Sequence, residues 1–454
     1  MDAITDATTD RRDWRQFVGR DQSARWAFRA MLVISVFVFV IIGRHQWFIR
    51  DDWALILTRR KMAVDSWTNS LFIAQDGHWM TVPILVYRAI HDLFGIDSYW
   101  PFLVVCLAAH VATVVLLRKI CVRVGVSQWT ATILCGMLLV FGSGWENIVF
   151  AVQITYNFSL LAFVAQLLLA DHEGPPDRRD WIGAAIGLIG VMSSGFGPFF
   201  IGGIGLLLLI RRRWISVAIN CGPMTLAYLW WWAKWGGDEA ADTAGRPLSK
   251  LPDFVQTGMT AVFEGLTPLS SLVGVAALAT TAILVWRARD ADSHDVLVAL
   301  SATVLAIFVG VGFQRVGLGV ETAAVSRYVY VGAMLLVPAF GLAVDQMHRL
   351  GEPAMLAGRL ALCAAAVTQV GKLNSNGDHW AGIASNERNR LELIAGAPLP
   401  IGFDMSLPCL TFSPDVRCGD IAGLVDEGAI SPREPVNDLE AVFVEQVRAG
   451  VIPP

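Results

Sequence analysis

Long apolar runs return along this chain at short intervals, separated by brief polar breaks. They cover residues 26–43, 99–117, 129–141, 148–170, 181–192, 196–210, 214–235, 269–286, 296–313, 328–344 and 354–370. Crossing roughly 30 Å of hydrocarbon takes about 20 apolar residues in a helix. Outside a closed barrel, only a helix satisfies its own backbone there. The pattern therefore predicts an all-α polytopic membrane protein with about eleven transmembrane helices. Composition agrees, because 55% apolar and 16% charged residues with a mean hydropathy of +0.53 exclude a soluble globular chain. A formal charge of −4 with dispersed basic residues gives no nucleic-acid partner.

Charge then orients the spans. Residues 1–25 carry Arg11, Arg12, Arg15, Arg20 and Arg25 and read as a cytoplasmic tail, so the first span is an uncleaved anchor with its N-terminus inside. Alternation places Arg118-Lys119-Arg123, Arg178-Arg179, Arg211-Arg212-Arg213, Arg287-Arg289 and His348-Arg349 inside, and each of these breaks is basic. The bundle would occupy 26–372, with residues 373–454 forming a small extracytoplasmic domain around a helix near 380–394. Cys409 and Cys418 in this tail can form a disulfide if it faces an oxidising compartment. The other cysteines show no zinc spacing. His110 and Asn220, in mid-span, are expected to be satisfied by neighbouring helices, and Gly183 with Gly187 to allow close packing. The tryptophans of 230–232 read as an interfacial belt.

Residues 44–98, the first outer loop, hold the densest polar chemistry. Asp51 and Asp52 stand just past the first span, and Asp76, His78 and Trp79 follow. Residues 82–94 pattern as an interfacial helix opened by Pro83; 53–61 pattern as a second, with Arg59-Arg60-Lys61 toward lipid phosphate. Asp51 and Asp52 could equally form a helix N-cap with an acidic first turn, and a Gly-containing turn accommodates Asp76 and His78. The breaks assigned outside also hold Glu146, Glu264, Arg315, Glu321 and Arg327, gathering ionisable groups on the face of Asp51. Glu146 and Arg327 each begin a span, where a dipole contact or a snorkelling side chain also explains them.

The acid pair after span one, Gly77-His78-Trp79, Trp145-Glu146-Asn147-Ile148-Val149-Phe150 leading to Gln153 and Tyr156, and Ser326-Arg327-Tyr328 together resemble the GT-C superfamily of polytopic glycosyltransferases. The likeness is to bacterial members that take sugar from a polyprenyl-phosphate carrier. It implies sugar transfer to a glycan, lipid or protein acceptor at the outer face of the cytoplasmic membrane. By this resemblance, Asp51 or Asp52 is the catalytic base. Arg327, Arg315 and His78 are candidates for the donor phosphate, and Asp76, Trp79 and Glu146 for the sugar or acceptor. The loop lacks DxD, so no metal or cofactor is expected, although two adjacent carboxylates could hold a divalent cation. Thr81 stands where the resemblance leads one to expect proline. A transporter or flippase would set its ionisable residues near mid-membrane and often show two similar halves. An assembly subunit would tolerate loss of the acids and Arg327.

Overall fold

The computed structural model describes residues 10–236, 247–267, 294–397, 399–410 and 412–451, with only the backbone for 10–20 and 350. Among these residues every regular element is helical, apart from isolated antiparallel bridges at Gln75–His78 and Pro408–Arg417. Six helices are long and apolar enough to cross a membrane: Asp21–Gly43, Trp100–Arg123, Ala151–Ala170, His294–Leu318, Ser326–Arg349 and Glu352–Gly396. Gln128–Leu139, Arg178–Val191, Gly197–Ile210 and Trp214–Trp235 fill further predicted runs; the run 269–286 lies outside the described residues.

Several boundaries differ from the sequence reading. The first helix runs Asp10–Gly43 without interruption, so much of the expected polar tail extends the first span; the segment is rich in Arg, Gln and Ala and lacks proline. The last span and the expected tail helix are one element, Glu352–Gly396, of 45 residues. Within the helix no proline follows Pro353, and at about 1.5 Å per residue this helix is about twice as long as the hydrocarbon is thick. Its far half leaves the bundle and carries the tail. The break read between 236 and 268 contains a helix, Leu251–Leu266, whose Phe254, Val262, Phe263 and Leu266 are fully buried against neighbouring spans.

Small residues bring the short helices together. A side chain on Gly183 would meet Asn220, and one on Gly190 would meet Ala162, so both must be small for the backbones to approach. His110 bonds Tyr330 Oη at 2.8 Å and the Leu139 carbonyl at 3.1 Å, bridging three helices as expected of a satisfied mid-span histidine. Asn220 donates to Asp180 at 2.9 Å.

One end of the bundle collects the described basic breaks; Arg287 and Arg289 lie outside the described residues. Arg123 and Arg211 both pair with Asp171, Arg211 also pairs with Asp295, Arg213 pairs with Asp180 at 3.2 Å, and Arg359 pairs with Asp345 at 3.5 Å. The first loop, the Glu146 and Arg327 helix starts and the tail collect at the other end.

The tail docks on the helices of the first loop. Thr58 donates to Asp415 at 2.7 Å, Lys61 pairs with Asp420 at 2.5 Å, and His91 bonds Glu427 at 2.8 Å. Cys409 and Cys418 are disulfide-bonded with Cα atoms 5.0 Å apart, meeting the geometric expectation.

Candidate active site

The first span ends at Gly43, and the chain reaches Asp51 through a tight turn. Asp52 N–H donates to the Ile49 carbonyl at 3.2 Å across this turn, and Arg50 sits at φ 53°, ψ −122°. That is the first central position of a type II′ turn, which suits glycine; a side chain there costs about 1–3 kcal/mol. Consequently the two acids diverge. Asp51 borders a cavity of about 160 Å³. Asp52 turns inward, is 0% exposed, and accepts bonds from Tyr87 Oη at 2.6 Å, Tyr99 Oη at 3.2 Å and the Ile49 amide at 3.2 Å.

Burial sets both carboxyls apart from an ordinary aspartate. For Asp51 burial raises the pKa, and the negative charge of Asp76 adds to it. For Asp52 burial pushes it up to about 7, although the tyrosine and amide donors oppose the rise. Of the two adjacent acids, Asp51 lines the cavity and Asp52 does not.

Asp76 and His78 are placed by an Asp-Gly hairpin. Asp76 (φ 50°) and Gly77 (φ 76°) both have positive φ, and Gln75 and His78 exchange backbone bonds at 3.1 and 2.9 Å, the pattern of a type I′ turn. Arg59, 1% exposed, grips this turn through the Ala74 carbonyl at 3.2 Å and Gln75 Oε1 at 3.0 Å. The expectation that Arg59-Arg60-Lys61 faces lipid phosphate is therefore corrected. Arg59 is an internal brace, and Arg60 and Lys61 reach Glu427 and Asp420 of the tail. His78 lines the cavity with its Nδ1 buried and unpartnered, and a side chain on Gly195 would collide with the ring. Burial, then the charge of Arg315, pushes its pKa down to about 4, so the imidazole is neutral at neutral pH.

Two arginines also line the cavity. Arg327 lies at the start of Ser326–Gln346 and is shared with Glu146: Nη1 meets Oε1 at 3.2 Å, and the Arg327 amide donates to Oε2 at 3.1 Å. Glu146 N–H in turn donates to Ser326 Oγ at 3.1 Å. Glu146 thus borders the cavity as the partner of Arg327, capping a helix other than its own. Arg315, at the end of His294–Arg315, also faces the cavity but makes no hydrogen bond or ion pair to any described residue. A cation whose side chain has no partner among the described residues, on a cavity that a neutral imidazole and a carboxylate also line, suits a phosphate ester with a reacting hydroxyl nearby.

The structure brings Asp51, Asp76, His78, Glu146, Arg315 and Arg327 to one cavity, from stretches far apart in the chain. Trp79 is not on it: it is 2% exposed, stacks on Trp231 at 5.4 Å, and donates to Thr81 Oγ1 at 2.7 Å. That stack also removes Trp231 from the expected belt, whereas Trp230 and Trp232 remain exposed. Arg50 and Gln75 line the cavity and were not singled out; their only sequence signal was adjacency to Asp51 and Asp76. Tyr156 and Gln153 line it too, in the stretch that carried the family resemblance.

Among the described residues, the His/carboxylate group close enough to hold a metal is His172, Asp177 and Asp180. It lies at the far end of the bundle, where Arg213 Nη2 bonds His172 Nε2 at 2.8 Å and pairs with Asp180, so a guanidinium already neutralises it.

No family model matches the sequence, and no curated protein matches it by sequence. By structure the chain is similar to ArnT from Cupriavidus metallidurans. The crystal structure of ArnT bound to undecaprenyl phosphate superposes with a TM-score of 0.55 at 12% identity, over 93% of this chain and 88% of that one. The apo crystal structure gives a TM-score of 0.55 at 12% identity over 95% and 90%. At this identity the likeness is one of fold, and it agrees with the polytopic architecture that the sequence resemblance implied. The chain is an integral membrane protein whose described residues share the helical fold of ArnT.

Proposed function

We propose that the protein is a glycosyltransferase that moves a sugar from a polyprenyl-phosphate carrier to an acceptor hydroxyl. The observation that carries this reading is a carboxylate, Asp51, and two guanidinium groups, Arg315 and Arg327, on one cavity that neutral His78 also lines. The lipid phosphate bound to the structurally similar ArnT supports the class of donor. Asp51 acts as general base: its carboxylate takes the acceptor proton as the hydroxyl oxygen attacks the anomeric carbon, and the carbon–oxygen bond to the lipid phosphate breaks. Arg315 and Arg327 hold the phosphate and offset the charge it gains on leaving. His78, uncharged, offers a hydrogen bond from its ring, while Asp76 and Glu146 border the space for sugar and acceptor.

The cavity face is assigned to the outside of a bacterial cytoplasmic membrane, supported by the basic breaks at the opposite end of the bundle. The test is direct: purified protein in detergent or vesicles is given a polyprenyl-phosphate sugar with an envelope acceptor fraction, and free polyprenyl phosphate is followed. Its release, dependent on protein and acceptor and lost in Asp51→Asn, supports the reading. Equal release with Asp51→Asn, or none with any polyprenyl-phosphate sugar tried, overturns it.

A further inference from the structure

The tail reaches the turn that aims Asp51. Arg50 N–H donates to Ser413 Oγ at 2.7 Å across 363 positions of sequence. Ser413 is 0% exposed, and its hydroxyl donates to Glu387 Oε2; Glu387 Oε1 accepts the Phe412 amide at 3.1 Å. Glu387 belongs to the long helix Glu352–Gly396, so the hydroxyl is fixed from behind by a rigid element. Around Ser413 the chain is closed by the Cys409–Cys418 disulfide, by the Cys409 amide on the Val416 carbonyl at 2.9 Å, and by Thr58 on Asp415 at 2.7 Å. The Arg50 side chain lies over Trp380 and Phe412, 5.2 and 5.8 Å from the ring centroids. A non-glycine residue at φ 53° persists only when its surroundings over-determine it, and these are the surroundings.

We infer that the disulfide-closed loop of residues 409–418 clamps the Asp51 turn, with Ser413 and Glu387 as positioning residues that act through the Arg50 amide. The catalytic half of this inference rests on Asp51 being the base; the clamp itself does not. Without the Ser413 hydroxyl, the Arg50 amide loses its partner and the strained turn relaxes toward negative φ. Rotation about this residue swings the Asp51 carboxylate out of the cavity. The donor phosphate, held by Arg315 and Arg327, is left in place.

The experiment compares full-length Ser413→Ala, Glu387→Ala, Glu387→Gln and the Cys409→Ser/Cys418→Ser pair with the unaltered protein. Amide exchange is read for peptides covering residues 48–55, with transfer kinetics and pH profiles alongside. The clamp requires faster exchange at 48–55 in Ser413→Ala and in the paired serine variant, and a smaller increase in Glu387→Gln, whose amide oxygen still accepts from Phe412 N–H while its NH2 donates to Ser413 Oγ and leaves that oxygen a lone pair for the Arg50 amide. Catalytic positioning further requires a kcat lowered about 10-fold or more with donor KM changed less than about threefold. It also requires an acidic limb displaced toward lower pH as Asp51 becomes better hydrated, a change that loss of stability alone does not produce. Unchanged exchange at 48–55 in Ser413→Ala overturns the clamp whatever Asp51 does. Faster exchange with unchanged kcat and pH profile overturns the positioning role. Full activity of Asp51→Asn instead sinks the assignment of the base and leaves the exchange result to judge the clamp. Should Glu387→Ala fail to fold, Ser413→Ala and Glu387→Gln still decide.

Discussion

Asp51 and Asp52 share a peptide bond and face opposite surroundings: one borders the cavity, while the other is sealed between Tyr87 and Tyr99. The strained Arg50 turn produces this divergence, and it assigns the two acids different work. Asp51→Asn keeps the shape of the side chain but cannot take a proton, so kcat is expected to fall by about 10²- to 10⁴-fold while donor affinity survives. Asp52→Asn is expected to retain transfer within about tenfold, because its carboxyl does not reach the cavity. Steady-state kinetics with a donor-binding measurement check both, and equal losses in the two variants would contradict the division.

The pH dependence of kcat separates Asp51 from His78. A general base works only when ionised, and burial together with Asp76 raises the Asp51 pKa. Activity should therefore be lost on acidification at a pH above the ordinary aspartate value of about 3.9. His78 is held near 4 and is already neutral, so its titration adds no inflection between pH 6 and 7. An inflection there that disappears in His78→Gln would contradict a neutral imidazole.

Asp52 should instead write itself into stability. Its folded value of about 7 exceeds its unfolded value of 3.8, so its contribution is most favourable at low pH and is lost as pH rises through that interval. At about 1.4 kcal/mol per pH unit, the loss amounts to at most roughly 4 kcal/mol. Asp52→Asn removes the titration and can still accept from Tyr87. Melting temperatures measured from pH 4 to 8 should show the variant gaining on the unaltered protein as pH increases, and a constant offset would refute this.

Arg315 and Arg327 should respond differently to deletion. Among the described residues the Arg315 side chain has no partner to leave behind, so Arg315→Ala weakens donor binding roughly 10- to 100-fold with little change in melting temperature. Arg327→Ala strands Glu146, which is only 7% exposed, and should cost stability as well as affinity. Adding Glu146→Gln to Arg327→Ala should restore much of the melting temperature and none of the affinity. Recovery of donor binding in that double variant would show that Arg327 acts only through Glu146.

Apolar runs and basic breaks carried the helical architecture and the grouping of site residues at one end, because burial in hydrocarbon constrains composition over whole segments. The exceptions have local causes. Glu352–Gly396 reads as two elements because its polar half leaves the apolar pattern, yet helix continuity depends on the absence of a breaker, not on polarity. Arg59 looked like a lipid-facing cation because three basic residues stand together; its inward turn depends on acceptors at 70, 74 and 75 that only the folded hairpin supplies. Trp79 carried the family resemblance and proved to be packing, since stacking on Trp231 requires a partner about 150 positions away, which sequence spacing cannot reveal. The contact between Ser413 and the Arg50 amide left no pattern at all: a lone serine in an irregular loop acquires its role only from the chain that folds against it.

Orientation makes the last prediction, because the mechanism places the cavity, the tail and its disulfide outside. Four free cysteines, Cys106, Cys121, Cys135 and Cys221, are buried, and Cys363 is exposed on the long helix, so a Cys363→Ser background gives a quiet reference. In that background Leu439→Cys reports the tail, where Leu439 is 84% exposed, and Glu173→Cys reports the basic end of the bundle beside Asp171 and His172. A membrane-impermeant maleimide added to intact cells should label position 439 and not 173, and inverted vesicles should reverse the result. Opening the envelope without inverting the membrane must not change which position reacts from outside. Labelling of 173 from outside, with 439 protected, would put the disulfide in a reducing compartment where it does not persist and the cavity on the cytoplasmic face. The basic breaks would then have misled the assignment, and the acceptor would have to be cytoplasmic.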